Sequence, residues 1–303
     1  MDWMLVAAGF GVGIVVGLTG MGGGALMTPV LVLFFGIPPL SAVSSDLVAS
    51  AIMKPVGSAV HIRRGRVDWR LVKWLCIGSI PAAFCGVLLS KALGDGERVH
   101  DVVQIALGIA LLLAVAGLVG RSFIRLREQP GQSSEREVPR VTVRPLATVI
   151  LGAVGGVVVG MTSVGSGSLI IVALLALYPT LRANDIVGTD LVQAVPLVGA
   201  AALGHLIFGD FQFELTTALL LGSIPGVFLG AQVSSRAPGS LVRRALAVVL
   251  IASALKLLHA SNTVVVIAVA IAILGATVGW PALRRRLAQR RPQLEPAELS
   301  AVG

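Results

Sequence analysis

Gly13 to Leu26 reads GIVVGLTGMGGGAL and Gly156 to Leu169 reads GVVVGMTSVGSGSL; the two stretches agree at 8 of 14 positions, and each ends in a glycine-rich break. A second block repeats as well. Leu40 to Ser90 lies on Asn184 to Ser234 without a gap and shares Asp46/Asp190, His61/His205, Gly65/Gly209 and a Gly-Ser-Ile-Pro run at Gly78 and Gly222. Self-similarity at a fixed offset makes the chain an internal duplication, and the fold is read from the repeat outward.

Each repeat is built of apolar runs. Hydrophobic residues make up 55% of the 303, charged residues only 13%, and the mean hydropathy is +0.91. A water-soluble domain of this length has too little interior to hide so much apolar surface, so the chain reads as an all-α polytopic membrane protein. The runs are Trp3–Leu18, Leu26–Ile37, Ala42–Val60, Leu71–Leu93, Val102–Val119, Leu146–Met161, Leu169–Tyr178, Ile186–Phe208, Leu215–Val233, Leu241–Leu258 and Val264–Trp280. A helix needs about 20 residues to cross the hydrocarbon core, and the second and seventh runs are too short for it.

The net charge of +9 does not indicate nucleic acid, because the basic residues stand at the ends of apolar runs without interleaved aromatics. They follow the positive-inside rule: Arg63, Arg64, Arg66, Arg70 and Lys73 come after the third run, others lie between Arg121 and Arg144, and more follow from Arg236 to Arg291. These segments are expected in the cytoplasm. The start, Met1-Asp2-Trp3, has neither a basic n-region nor a cleavage site, so no signal peptide is expected. Cys76 and Cys85 sit on different turns of one apolar run and read as core filler. Trp3, Trp69 and Trp280 read as interface anchors.

Equivalent loops carry opposite charge. Arg63 to Lys73 is strongly basic, whereas Ile207 to Thr217 has Asp210 and Glu214 and no base. The loops therefore face opposite sides, which predicts two inverted-topology repeats of about five helical segments each, with short hairpin (broken) helices and one extra C-terminal helix. The expected division is a first membrane repeat over 1–120, a cytoplasmic linker over 121–145, a second, inverted repeat over 146–260, an extra transmembrane helix over 261–283 and a cytoplasmic tail over 284–303.

The breaks are the candidate binding site. Most of the 36 glycines serve close helix packing, but clustered glycines interrupt a helix. Thr19, Gly20, Gly22, Gly23 and Gly24 form the first break, and Thr162, Ser163, Gly165, Ser166, Gly167 and Ser168 the second. Non-helical backbone at membrane depth is tolerated where it is buried in protein or lines a polar cavity. Helices starting near Ala25 and Ser168 would aim amides and positive dipole ends at that cavity, with serine and threonine hydroxyls as further donors, an arrangement suited to a small anion. A tight helix crossing also needs glycines; two equivalent breaks at symmetric positions favour a site.

Ionisable residues inside apolar runs are candidates for carrying charge. Asp46 and Asp190 occupy equivalent places, where a role in transport and a role as helix caps both fit. Lys54, whose equivalent is Val198, could pair with Asp46, meet an anion, or snorkel to the interface. His61 and His205 end the third and eighth runs, as proton carriers or as interfacial, hydrogen-bonded side chains. The four histidines are dispersed, and no cluster has metal-ligand spacing, so neither an enzyme nor a metal or cofactor site is expected.

These residues together resemble the TauE/SafE family of sulfite and organosulfonate exporters: paired glycine-rich breaks each holding a Thr, Asp-Leu-Val after a polar step, His before a loop, and Gly-Ser-Ile-Pro. The resemblance spans Phe10 to Leu258. It implies a bacterial inner-membrane permease for small sulfur-containing anions, coupled to protons, with its C-terminus in the cytoplasm. Ser163 and Ser166 replace glycines in the second break, leaving the half-sites unequal. The reading from residues points to a carrier working by alternating access, with a passive anion channel or a different small organic anion as alternatives.

Overall fold

The computed structural model describes residues 2–19, 23–63, 65, 67–92, 97–127, 142–178, 181, 183–233, 239–275 and 277. Among them the chain forms eleven helices: α1 (Trp3–Thr19), α2 (Gly24–Phe35), α3 (Pro39–Arg63), α4 (Trp69–Ala92), α5 (Glu97–Arg127), α6 (Pro145–Thr162), α7 (Leu169–Leu177), α8 (Ala183–Phe208), α9 (Phe213–Val233), α10 (Gly239–Leu257) and α11 (Asn262–Leu274). Each expected apolar run coincides with a helix among the described residues, and the second and seventh helices are short, at 12 and 9 residues. Helix α5 runs on through Arg127, into the stretch expected as linker. Trp280 and the tail from 284 lie outside the described residues.

The protein has an apolar core with ionisable side chains buried inside it, and an apolar exterior. Among the described residues, five segments are long and apolar enough to cross a membrane: Trp69–Ala92, His100–Gly120, Pro145–Thr162, Asp185–Phe208 and Phe213–Gly230. Large apolar side chains such as Phe34, Ile224, Phe228 and Ile271 are exposed, while Asp46, Lys54, Thr189, Asp190, Gln193 and His205 are buried. That distribution suits a molecule whose solvent is lipid.

Small residues set how the helices cross. A Cβ on Gly222 would stand 2.0 Å from the Val6 carbonyl oxygen, one on Gly226 2.4 Å from that of Phe10, and one on Gly230 2.2 Å from that of Ile14. Backbones this close require glycine, and α1 and α9 therefore run side by side and parallel. The same contacts recur between α4 and α6, where Gly78 would meet Val149 O at 2.1 Å and Gly86 would meet Val157 O at 2.7 Å. Gly78, Gly86, Val149 and Val157 are the repeat mates of Gly222, Gly230, Val6 and Ile14. Each half thus lays its first helix on the fourth helix of the other.

Chain direction follows from these contacts. Ser44 Oγ lies 2.8 Å from His205 Nδ1, and Ser58 Oγ donates to the Leu191 carbonyl at 2.9 Å, so the equivalent helices α3 and α8 are antiparallel. Helix α4 runs parallel to α8, since the Asp68 amide donates to Thr189 Oγ1 at 3.0 Å and Gly204 packs on Val87 further along. After the turn at 209–212, α9 reverses α8; α1, parallel to α9, then runs the same way as α3. Because α1 and α3 share a direction, α2 must double back between them. The same logic makes α6 and α7 a hairpin.

Candidate functional site

Helix α3 carries Asp46 and Lys54 on one rod, about 12 Å apart along its axis. Neither carboxylate is a cap. Helices α3 and α8 begin at Pro39 and Ala183, so Asp46 and Asp190 lie in helix interiors and send their side chains to other elements. For α3, proline in the first helical position explains the early start.

The second break reaches Asp46 from the other half. Ser163 ends α6 in the left-handed conformation (φ 58°), uncommon for a residue with a side chain, and its Oγ donates to Asp46 Oδ2 at 2.6 Å. From α2, Thr28 Oγ1 donates to the same oxygen at 3.1 Å. Asp46 Oδ1 has no hydrogen-bond partner among the described residues although the side chain is fully buried. A Cβ on Gly23 would lie 3.9 Å from that oxygen, whereas one on Gly24 would lie 2.1 Å from the Ser163 carbonyl oxygen. The two breaks therefore touch at Gly24 and Ser163, with Asp46 beside the contact.

Beyond Ser163 the break is held by glycine geometry. Gly165 and Gly167 adopt φ of 137° and 92°, open only to glycine at low cost. The Gly165 carbonyl accepts from the amides of Ser168, Leu169 and Ile170, while the Gly167 amide donates to Asp190 Oδ2 at 2.7 Å. Val164 donates its amide to Thr162 Oγ1 at 3.2 Å, and the Thr162 hydroxyl donates to Val158 O at 2.6 Å. Much of this break thus satisfies its own amides, where the sequence led us to expect them turned to a cavity. Ser168 precedes α7 without a side-chain cap bond. Thr19 closes α1, its side chain outside the described residues together with all of Gly20 and Gly22.

Lys54 crosses between the halves. It is buried rather than snorkelling, and its Nζ donates to Ser166 Oγ at 2.5 Å. Both Asp46 and Asp190 are near enough to attract it. It is the only buried lysine or arginine among the described residues. One small volume thus brings together Gly23, Gly24, Thr28, Asp46 and Lys54 from the first half with Ser163, Ser166, Gly167 and Asp190 from the second.

His205 is not interfacial. Fully buried, it places Nε2 2.8 Å from the Gly160 carbonyl oxygen, which requires a proton on that nitrogen, and Nδ1 against Ser44 Oγ. It ties α8 to α6 and α3, two residues before the second break on α6 and two residues before Asp46 on α3. The His61 side chain lies outside the described residues. The sequence reading passed over Thr28, whose one signal was a hydroxyl in an otherwise apolar run, and Gln193, whose Nε2 donates to Ser79 Oγ at 3.0 Å.

Among known families, the sulfite exporter TauE/SafE model matches residues 5–257. This chain belongs to the TauE/SafE family. Curated relatives carry transporter names. A probable membrane transporter protein of Bacillus subtilis (strain 168), YjnA, is 38% identical over 259 residues, covering 85% of this chain and 100% of the relative. A second from that strain, YdhB, is 25% identical and covers 80% of this chain and 94% of itself. A probable membrane transporter protein of Sinorhizobium fredii, y4hK, is 29% identical over 74% of this chain and 85% of itself. No solved structure matches. This TauE/SafE protein is accordingly a membrane transporter and not an enzyme.

Proposed function

We propose that this protein is a secondary carrier that exports small sulfur-containing anions, such as sulfite or organosulfonates, across the bacterial inner membrane. The observation that carries the reading is the Lys54–Ser166 contact, a buried cation from one half resting on the break of the other. Lys54 spends one N–H on Ser166 and keeps others; Ser166, accepting that bond, has its own hydroxyl proton to offer. These donors suit a pyramidal or tetrahedral oxyanion. The family supports sulfur oxyanions as the class.

In this reading the two halves are inverted repeats about an axis in the membrane plane, and the breaks meet near mid-membrane. The substrate sits between them while the bundles rock, with access alternating from side to side. The basic loops after α3 and the tail after α11 face the cytoplasm, as the positive-inside rule requires. On the same reading the domain division is repeats over 1–120 and 146–260 around the linker over 121–145, whose first residues continue α5 to Arg127, then the helix over 261–283 and the tail over 284–303.

Flux into reconstituted vesicles tests the assignment, comparing sulfite, thiosulfate, sulfoacetate, sulfate and a simple carboxylate. Saturable movement of a sulfur oxyanion, lost in Lys54→Met, is expected. Movement of the carboxylate or of a cation, with no sulfur oxyanion carried, would refute the substrate class.

A further inference from the structure

We propose that Asp46, and not its repeat mate Asp190, carries the proton that accompanies the anion. This rests on the carrier reading above and assigns the coupling within the same site.

The two aspartates occupy equivalent positions but are held differently. Asp190 Oδ2 accepts the backbone amide of Gly167, a bond that fixes the shape of the second break. Asp46 Oδ2 is held on one edge by two hydroxyls, Ser163 at 2.6 Å and Thr28 at 3.1 Å, and both donate. The contrast lies in the partners: the Gly167 amide can only donate and so requires an acceptor at Asp190, whereas the two hydroxyls at Asp46 can turn. Asp46 Oδ1, fully buried with no hydrogen-bond partner among the described residues, lies 3.9 Å from where a Cβ on Gly23 would stand, and the missing side chain leaves room there. A buried oxygen with nothing to accept is costly as an anion and natural as a hydroxyl. Protonation at Oδ1 costs neither existing bond and creates a donor beside the space in which an anion would rest.

Charge counting points the same way. The groups facing Asp46 are Lys54 on its own helix and, through Lys54, Asp190 of α8; α1, α2 and the second break bring no ionisable group among the described residues. Asp101 of α5 and Glu214 of α9 are exposed, Asp210 is bonded to Ser41 nearer the start of α3, and His205 of α8 is engaged with Ser44 and Gly160. With both carboxylates ionised, one ammonium faces two negative charges, and an entering anion adds to the excess. A proton on Asp46 balances the ammonium against Asp190 alone and allows the anion to approach Lys54. The proton binds Oδ1 from the water on one side and leaves Oδ1 to the water on the other, so each anion moves with one proton. Asp190 is the positioning residue: it keeps Lys54 attracted and the break in shape.

The test uses the full chain in vesicles, with thiosulfate and sulfoacetate as probes because neither takes up protons near neutral pH. In the wild type, a pH gradient should drive accumulation of the probe, and probe entry should move protons detected by a lumenal dye. Asp46→Asn mimics the protonated carboxyl: exchange of labelled for unlabelled probe should remain measurable, at a changed rate, while pH-driven accumulation is lost. Asp46→Glu, which keeps a titratable group, should keep accumulation with an altered pH profile. Asp190→Asn should slow exchange and accumulation together. Accumulation surviving in Asp46→Asn, or lost selectively in Asp190→Asn, would overturn the assignment. So would a wild type that exchanges the probes without moving protons, and that result would leave the carrier reading standing. A wild type that moves neither probe nor sulfite would remove the carrier reading itself.

Discussion

Gly222→Ala should break the α1·α9 crossing. The new methyl would stand 2.0 Å from the Val6 carbonyl oxygen and 2.7 Å from the Phe10 amide nitrogen, and both are backbone atoms that no rotamer change can move. Ordinary contact begins near 3.4 Å, so the helices must part locally by 3.4 − 2.0 = 1.4 Å. Overpacking of this kind costs about 3 kcal/mol at the upper end, and alanine recovers about 1 through helix propensity, leaving a net loss of about 2 kcal/mol. Gly78→Ala meets Val149 O at 2.1 Å and should lose the same amount. Gly199→Ala, with nothing within 4 Å, should be neutral or gain about 1 kcal/mol. Thermal unfolding of the purified protein in detergent, read by monodispersity after heating, should show the two crossing variants lowered by roughly 4–8 °C. Equal midpoints for all variants would refute the close crossings, and loss at Gly222 alone would refute their equivalence between halves.

Other expectations bear on the breaks and the topology. Gly24→Ala, aimed at the Ser163 carbonyl oxygen, should lower both stability and flux, whereas Gly23→Ala fits at 3.9 Å from Asp46 Oδ1 and should lower flux with the unfolding midpoint kept. Ser166→Ala should weaken half-saturation for sulfite about tenfold, in keeping with about 1.5 kcal/mol for a hydrogen bond to a charged group, and radiotracer flux reads it. Ser79 and Ser223 are buried in the crossings, so side-specific labelling belongs at the exposed mates Trp69 and Phe213. In a background lacking Cys76 and Cys85, Trp69→Cys should react from the cytoplasmic side and Phe213→Cys from the opposite side; same-side reaction would exclude inversion.

The duplication, the short second arms and the buried ionisable residues were legible because each is local: a repeated string, a run too short to span, a charge inside an apolar stretch. Facing was not. In lipid a helix is apolar on all sides, so its periodicity does not say which residues turn inward, and His205 read as interfacial although it is buried against Gly160 and Ser44. Apolar onset misplaced the start of α3, making Asp46 resemble a cap, although Pro39 carried the correct signal. The positive φ angles that let the second break bond its own amides follow from how Gly165 and Gly167 close the loop, which composition does not encode. Lys54 meeting Ser166 is a contact between halves with no local trace at all.

The central claim is that a small anion rests between the two breaks, against Lys54 and Ser166. A structure of the protein soaked with selenite, the heavier congener of sulfite, located by its anomalous scattering, tests it most directly. A selenium peak is expected with its oxygens in hydrogen-bond reach of Lys54 Nζ and Ser166 Oγ, absent in Lys54→Met; selenium confined to surface arginines, with Lys54 still seated on Ser166, would refute that placement.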